Sequence, residues 1–285
     1  MLVSEVLASV ASRMGLDGIP DDVSEKSRWL SHCADAQRSI VRKNLYWFTQ
    51  DTKGLSTVTG RNRYSLDSAF REMISVTLNG NYIDPSTEHE SSVRVTNGLP
   101  FRPNLLNFSS TYFIYNNEIN IPHGGITAPT TFSVSSITRS GTTVTVTTTA
   151  EHGFLADEFI MVEGAVQTDY NGSQRIYTIP SATTFTFLTT TTPTTPATGT
   201  ITVTQQNLVY RFYKTPTTPT AMTSTLIIPD LFWEGFVSYV KARVDMANDQ
   251  RGSAGDGLDE FNQIIEDLDV ENNRRNFANV TISTY

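Results

Sequence analysis

Between residues 126 and 205 the chain carries 25 threonines in 80 positions, set in short alternating runs. Six runs stand out: "FSVSSIT", "TVTVTTT", "EFIMVEG", "RIYTI", "TFTFL" and "GTITVT". A β-branched threonine is stiff at χ1 and fits a pleated strand better than a helix. Alternation with a period of two places Phe, Val and Ile on one face and hydroxyls on the other. The pairs "SG" at 140–141, "HG" at 152–153 and "NG" at 171–172 supply turns between the runs. Strands at this even spacing predict a small closed sheet, either an Ig-like sandwich or a small barrel. "TTTTPTTPATG" (189–199) reads as a low-complexity loop.

The tract interrupts a different kind of sequence. A strand pattern stops at "NEINIP" and resumes at "LVYRFYKTP" (208–216). The tract therefore reads as a domain, 126–205, inserted between two neighbouring strands of an outer domain made of 1–125 and 206–275. Insertion at a surface turn costs a fold little. In the outer domain, helices are expected over 2–14 and over about 23–46, where apolar residues recur at three-and-four spacing. Residues 54–121 read as β structure, with "MISVTLNG" alternating into an Asn-Gly turn and "STYFIYNNEINIP" forming two short strands about "NN". A second long helix begins at Pro229, the glycines from Gly252 to Gly257 break it, and a last helix runs from Leu258 to about Asn272. Residues 276–285 are left as an extended arm. The fold class this predicts is α+β: a helical bundle with a small antiparallel β sheet, plus the inserted all-β domain.

Charge limits the partners. The net charge is −8, and residues 230–285 alone carry 5 basic and 11 acidic side chains. Such a segment repels a phosphate backbone, which argues against sequence-reading DNA binding. No run of apolar residues is long enough to cross a membrane as a helix. "MLVSEVLASVASRMG" lacks a basic start and predicts an amphipathic helix, not a leader. Cys33 is the only cysteine, so no disulfide forms within the chain. Together these features predict an intracellular product or one assembled inside a cell.

Motifs for catalysis are missing. His32, His89, His123 and His152 show no metal-ligand spacing, and "HEXXH", "GXSXG" and "GXXXXGK[ST]" are absent. His152 reads as a turn residue before Gly153, and Cys33 as a buried thiol on an apolar helix face. Asp256, Asp259, Glu260, Glu266, Asp267, Asp269 and Glu271 lack the ligand pattern of a calcium loop and read as a solvated helix face. Trp29, Trp47, Phe48, Phe232 and Trp233 read as core packing. No enzyme, cofactor or metal is expected.

Three stretches resemble the head-to-tail adaptor proteins of tailed bacteriophages: "YSLDSAFREMISVTLNGNYIDP", "LVYRFYKTP" followed by "LIIPDLFWEGFVSYVKARV", and "GLDEFNQIIEDLDVENNRR". They span most of 1–125 and 206–275. "SGTTVTVTTTAEHGFLADEFIMVEGA", "DYNGSQRIYTI" and "TTFTF" resemble the small Ig-like or barrel-like modules of phage virion proteins, with Ala156 where such modules usually carry glycine. The adaptor resemblance implies a structural virion protein, assembled in the host cytoplasm as a dodecameric ring under the portal protein. The ring would extend the DNA channel used in genome ejection and dock a tail or neck protein below. DNA would pass through without sequence-specific binding. Within that frame Asp256, Asp259, Glu260, Glu266 and Asp267 are candidates for an acidic lumen face. Phe277, Val280, Ile282 and Tyr285 are candidates for an arm that docks on the portal. The alternative is a receptor-binding or fibre-associated virion protein that uses the β module for adhesion.

Overall fold

The computed structural model describes residues 1–86, 111–121, 128–248 and 251–278. They divide into two compact units, one of residues 1–51 with 213–285 and one of residues 52–212. The composition boundaries at 125 and 206 both fall inside the second unit.

The first unit is helical. It contains α1 (Val3–Arg13), α2 (Val23–Lys43), α3 (Trp233–Ala247) and α4 (Arg251–Ala278). Asp22 caps α2 by accepting from the Glu25 N–H at 2.9 Å, and Arg42 and Lys43 sit in its last turn, complementing the helix dipole. The core joins Val3, Leu7 and Val10 of α1, Trp29, Cys33 and Ile40 of α2, Phe236 and Val240 of α3, and Phe261, Ile265 and Leu268 of α4. Buried Gln37 ties the irregular segment before α3 to α2. It donates to the Thr217 carbonyl and accepts from the Ile227 N–H, both at 3.0 Å.

The Gly252–Gly257 stretch is helical, not a break. Glycine here serves close packing: a Cβ on Gly257 would lie 2.8 Å from the Ser238 carbonyl oxygen, and one on Gly235 2.1 Å from Ile264 Cδ1. Small residues let α3 and α4 approach each other, and that packing outweighs the poor helix propensity of glycine. The last helix also runs on to Ala278, so the first three positions of the expected arm are helical.

The second unit holds most of the β structure and overturns the expected fold class. The helical bundle with a small antiparallel sheet is not what forms. Among the described residues there are thirteen strands, in a seven-stranded sheet and a closed six-stranded barrel, against four α-helices. The seven-stranded sheet takes β1 (Gln50–Leu55), β2 (Arg63–Ser65), β3 (Phe70–Leu78), β4 (Asn81–Pro85), β5 (Thr111–Tyr115), β6 (Glu118–Asn120) and β13 (Leu208–Lys214). Their order is β1-β13-β3-β4-β5-β6-β2. It is not purely antiparallel, since β4 and β5 pair in parallel through Asp84 with Thr111 and Pro85 with Tyr112. Nor are the strands flanking the tract neighbours: β3, β4 and β5 lie between β6 and β13. The Asn-Gly turn forms as its sequence predicts, with φ of 51° at Asn79 and 78° at Gly80 joining β3 to β4.

The barrel takes β7 (Thr131–Ser140), β8 (Thr143–Thr148), β9 (Phe159–Ala165), β10 (Gly172–Ser181), β11 (Thr184–Leu188) and β12 (Gly199–Gln205), in the closed order β10-β11-β8-β7-β12-β9. Each alternating run falls on one of these strands, with only Thr149 and Glu158 lying just outside. The sheet closes on itself, so the sandwich alternative fails. The barrel has its own core, with Ile137, Val144, Val146, Ile160, Val162, Phe185, Phe187 and Val203 buried inside.

Buried polar groups join barrel and sheet within this unit. Asn207 lies two residues after β12 and immediately before β13. Its Oδ1 accepts from the Thr57 N–H at 3.0 Å, and its Nδ2 donates to Thr57 Oγ1 and Asn79 Oδ1, each at 2.9 Å. The preceding residue, Gln206, donates its N–H to the Phe159 carbonyl at 2.8 Å, and its Oε1 accepts from Ser173 Oγ at 2.6 Å. Buried amides and hydroxyls satisfied in this way hold a single arrangement, because any other leaves them unpaired.

Candidate functional site

The five carboxylates singled out in the sequence share one side of α4. Counted from Asp256, Asp259, Glu260, Glu266 and Asp267 follow at three, four, ten and eleven residues, the spacing of a single helical face. All five are exposed. The opposite face, Phe261, Ile265 and Leu268, is buried in the helical core. From residue 252 to residue 273, the stretch that carries the stripe, the chain has no lysine or arginine.

Two acids that the sequence grouped with this cluster do different work. Asp269 Oδ1 accepts from Tyr46 Oη at 2.8 Å and from Asn44 Nδ2 at 3.1 Å. Burial, with the Asp269 carboxylate beside it, pushes the Tyr46 hydroxyl well above its ordinary range. Glu271 pairs with Arg275 at 2.7 Å and Arg274 at 3.1 Å, and the Arg275 hydrogen bond leads the causes that lower its carboxyl pKa. Arg275 in turn stacks its guanidinium over the Trp47 ring, 4.4 Å from the centroid. Asn272, which the sequence gave no reason to select, is buried on the same side. It accepts from the Trp47 N–H at 3.2 Å and donates to the Leu45 carbonyl at 3.0 Å. These groups fasten α4 to the chain after α2, while the stripe remains outside.

The arm residues divide. Phe277 lies in the last turn of α4, whereas Val280, Ile282 and Tyr285 lie outside the described residues. So do His89 and His123.

The remaining candidates sit in cores. Cys33 is buried, and burial pushes its thiol up to about 12, away from nucleophilic reactivity at neutral pH. Trp29, Trp47, Phe48, Phe232 and Trp233 all pack into the helical core. His32 lies on α2 with both ring nitrogens buried and without a hydrogen-bond partner among the described residues. Burial lowers its pKa, Arg243 and Arg28 add to that, and Asp35 opposes it. His152 precedes Gly153, whose φ is 66°, and its ring is buried in the barrel core against Phe154 and Phe185.

Among the described residues no group of three or more His, Cys, Asp or Glu is placed to hold a metal ion. No described helix is long and apolar enough to cross a membrane. No protein-family model matches the chain, and no curated protein matches it at a significant level.

Proposed function

We propose that the protein is a structural component of a tailed-phage virion, a head-to-tail adaptor whose copies form a dodecameric ring beneath the portal. The observation that carries this reading is the exposed stripe of five carboxylates on α4, with no basic residue on that stretch of helix. Repeated around a ring, it lines a channel with negative charge. DNA then passes without the counterion release that drives a phosphate backbone onto a basic surface. The resemblance of the flanking segments to adaptor proteins supplies the partners: portal above, tail or neck protein below.

Charge reversal tests the lumen assignment. The variant Asp259→Lys, Glu260→Lys, Glu266→Lys and Asp267→Lys is expected to fold, since all four side chains are exposed, and still to assemble. Particles carrying it should retain DNA in the neck and eject it slowly, the more so at low salt. Ejection at the wild-type rate at low ionic strength would remove the stripe from the channel.

A further inference from the structure

The connection between β8 and β9, residues 149–158, folds back onto the barrel. It is held by backbone bonds from the Thr149 N–H to Ser133 O at 2.9 Å, from the His152 N–H to Ala182 O at 3.1 Å, and from the Asp157 N–H to Ile176 O at 3.0 Å. Two of its rings, His152 and Phe154, are 6% and 5% exposed. They stack with centroids 4.8 Å apart, and Phe185 of β11 meets the imidazole edge-on at 5.4 Å.

One hydrogen bond fixes the state of the imidazole. His152 Nδ1 accepts from the Phe154 N–H at 3.0 Å, so Nδ1 carries no proton and the neutral ring holds its proton on Nε2. Nε2 is buried with no hydrogen-bond partner among the described residues. A second proton has to go onto Nδ1. There it faces a backbone N–H donor, turning the hydrogen bond into a clash of two donors. It also places a full charge between two phenyl rings.

We propose that His152 is an acid-sensitive latch, whose protonation releases residues 149–158 from the barrel core while the strands stay paired. The charged and polar groups around the ring do not prevent this. Among the described residues, Glu158, just before β9, is the one charge that acts on it, and with the Thr184 backbone of β11 it favours the imidazolium; burial outweighs both. Glu158 is itself engaged, accepting from the Leu155 N–H and from Gln205 Nε2, each at 3.0 Å. Asp157 pairs with Arg175 at 3.0 Å, and Glu151 is exposed. The lining from β7 is apolar, through Phe132 against Phe154 at 5.3 Å. Once out of the core, the ring takes up its proton near its ordinary 6.5. The opening constant therefore rises by up to about tenfold per pH unit below that value, until the latched ring itself titrates.

Amide hydrogen exchange of the full chain, corrected for intrinsic rate, tests this at pH 7.5 and 5.5. Exchange in 149–158 should accelerate at least several-fold at the lower pH, with β8, β9 and β11 still protected. In His152→Asn, whose amide oxygen replaces the Nδ1 acceptor and does not titrate, that acceleration should vanish. If this variant does not fold, NMR titration of the wild-type histidines serves in its place: the His152 titration should coincide with loss of the Phe154 amide signal. Unchanged protection at pH 5.5, equal acceleration in His152→Asn, or a Phe154 amide that persists through the titration would overturn the latch.

Discussion

Thr131 and Thr204 face each other at the mouth of the barrel, one in its first strand and one in its last, with their hydroxyl oxygens 2.9 Å apart. The chain thus enters and leaves the barrel at adjacent points. An element with adjacent ends and a private core can be carried by a host fold without distorting it.

Excision follows from this. A fragment of residues 128–206 should be soluble, give a β-type circular dichroism spectrum and unfold cooperatively. The barrel core draws on residues 132–203 alone, so the cut removes none of it. A fragment with no cooperative transition would mean that the Asn207 and Gln206 joint holds the barrel together as well as holding it in place.

Two of the three glycines in this stretch of α4, Gly255 and Gly257, should respond in opposite directions. A Cβ at Gly255 meets nothing within 4 Å, so Gly255→Ala should stabilise by about 0.5–1 kcal/mol. At Gly257 a Cβ meets the Ser238 carbonyl at 2.8 Å, so Gly257→Ala should destabilise. Urea unfolding followed by tryptophan fluorescence reads both, because Trp29, Trp47 and Trp233 all belong to the helical unit. Shifts of the same sign would contradict the packing of α3 on α4.

Phe236 is wholly buried at the centre of that unit. Phe236→Ala should cost roughly 3–5 kcal/mol in the same assay. A loss under about 1 kcal/mol would show that the surrounding side chains refill the space, against the usual behaviour of a packed core.

His32 gives the helical unit its own pH dependence. Its pKa is lowered in the folded state, so below the ordinary 6.5 the unfolded chain binds a proton that the folded protein refuses. The stability it confers is complete above that pH and is lost as pH falls toward the folded value. The urea midpoint by tryptophan fluorescence should drop between pH 7.5 and 5.5, and His32→Gln should flatten that drop. An identical slope in the variant would assign the effect to other groups.

Much of the local structure was written in local pattern. Alternation over "TVTVTTT" and "TFTFL" has one reading, because threonine and aromatic residues at period two have no comparable helical face. Asp22 before α2 and the Asn79–Gly80 turn were equally plain. The sheet was harder, because its order depends on pairings far apart in sequence. β13 lies between β1 and β3, and β2, only three residues long, pairs with β6 at the far edge. Composition favoured helix over Leu258–Asn272 but could not place its start, since Gly252–Gly257 looks like a breaker until α3 lies against it. The acidic run reads from sequence as a solvated helix face, and the five residues of the stripe are singled out there only through the adaptor resemblance. That Asp269 and Glu271 belong to anchoring and not to the stripe depended on Tyr46 and Arg275, and in the first case on a partner more than two hundred residues away.

Attachment to the portal is the most direct test of the adaptor reading. Purified protein would be mixed with portal-bearing heads that lack it, and the heads sedimented and viewed by electron microscopy. The account predicts a ring of copies at the portal vertex, dodecameric by subunit count, with the helical unit still able to bind when the barrel, 128–205, is replaced by a short linker. Protein that stays in the supernatant as a monomer, or that attaches only to fibres, would contradict it.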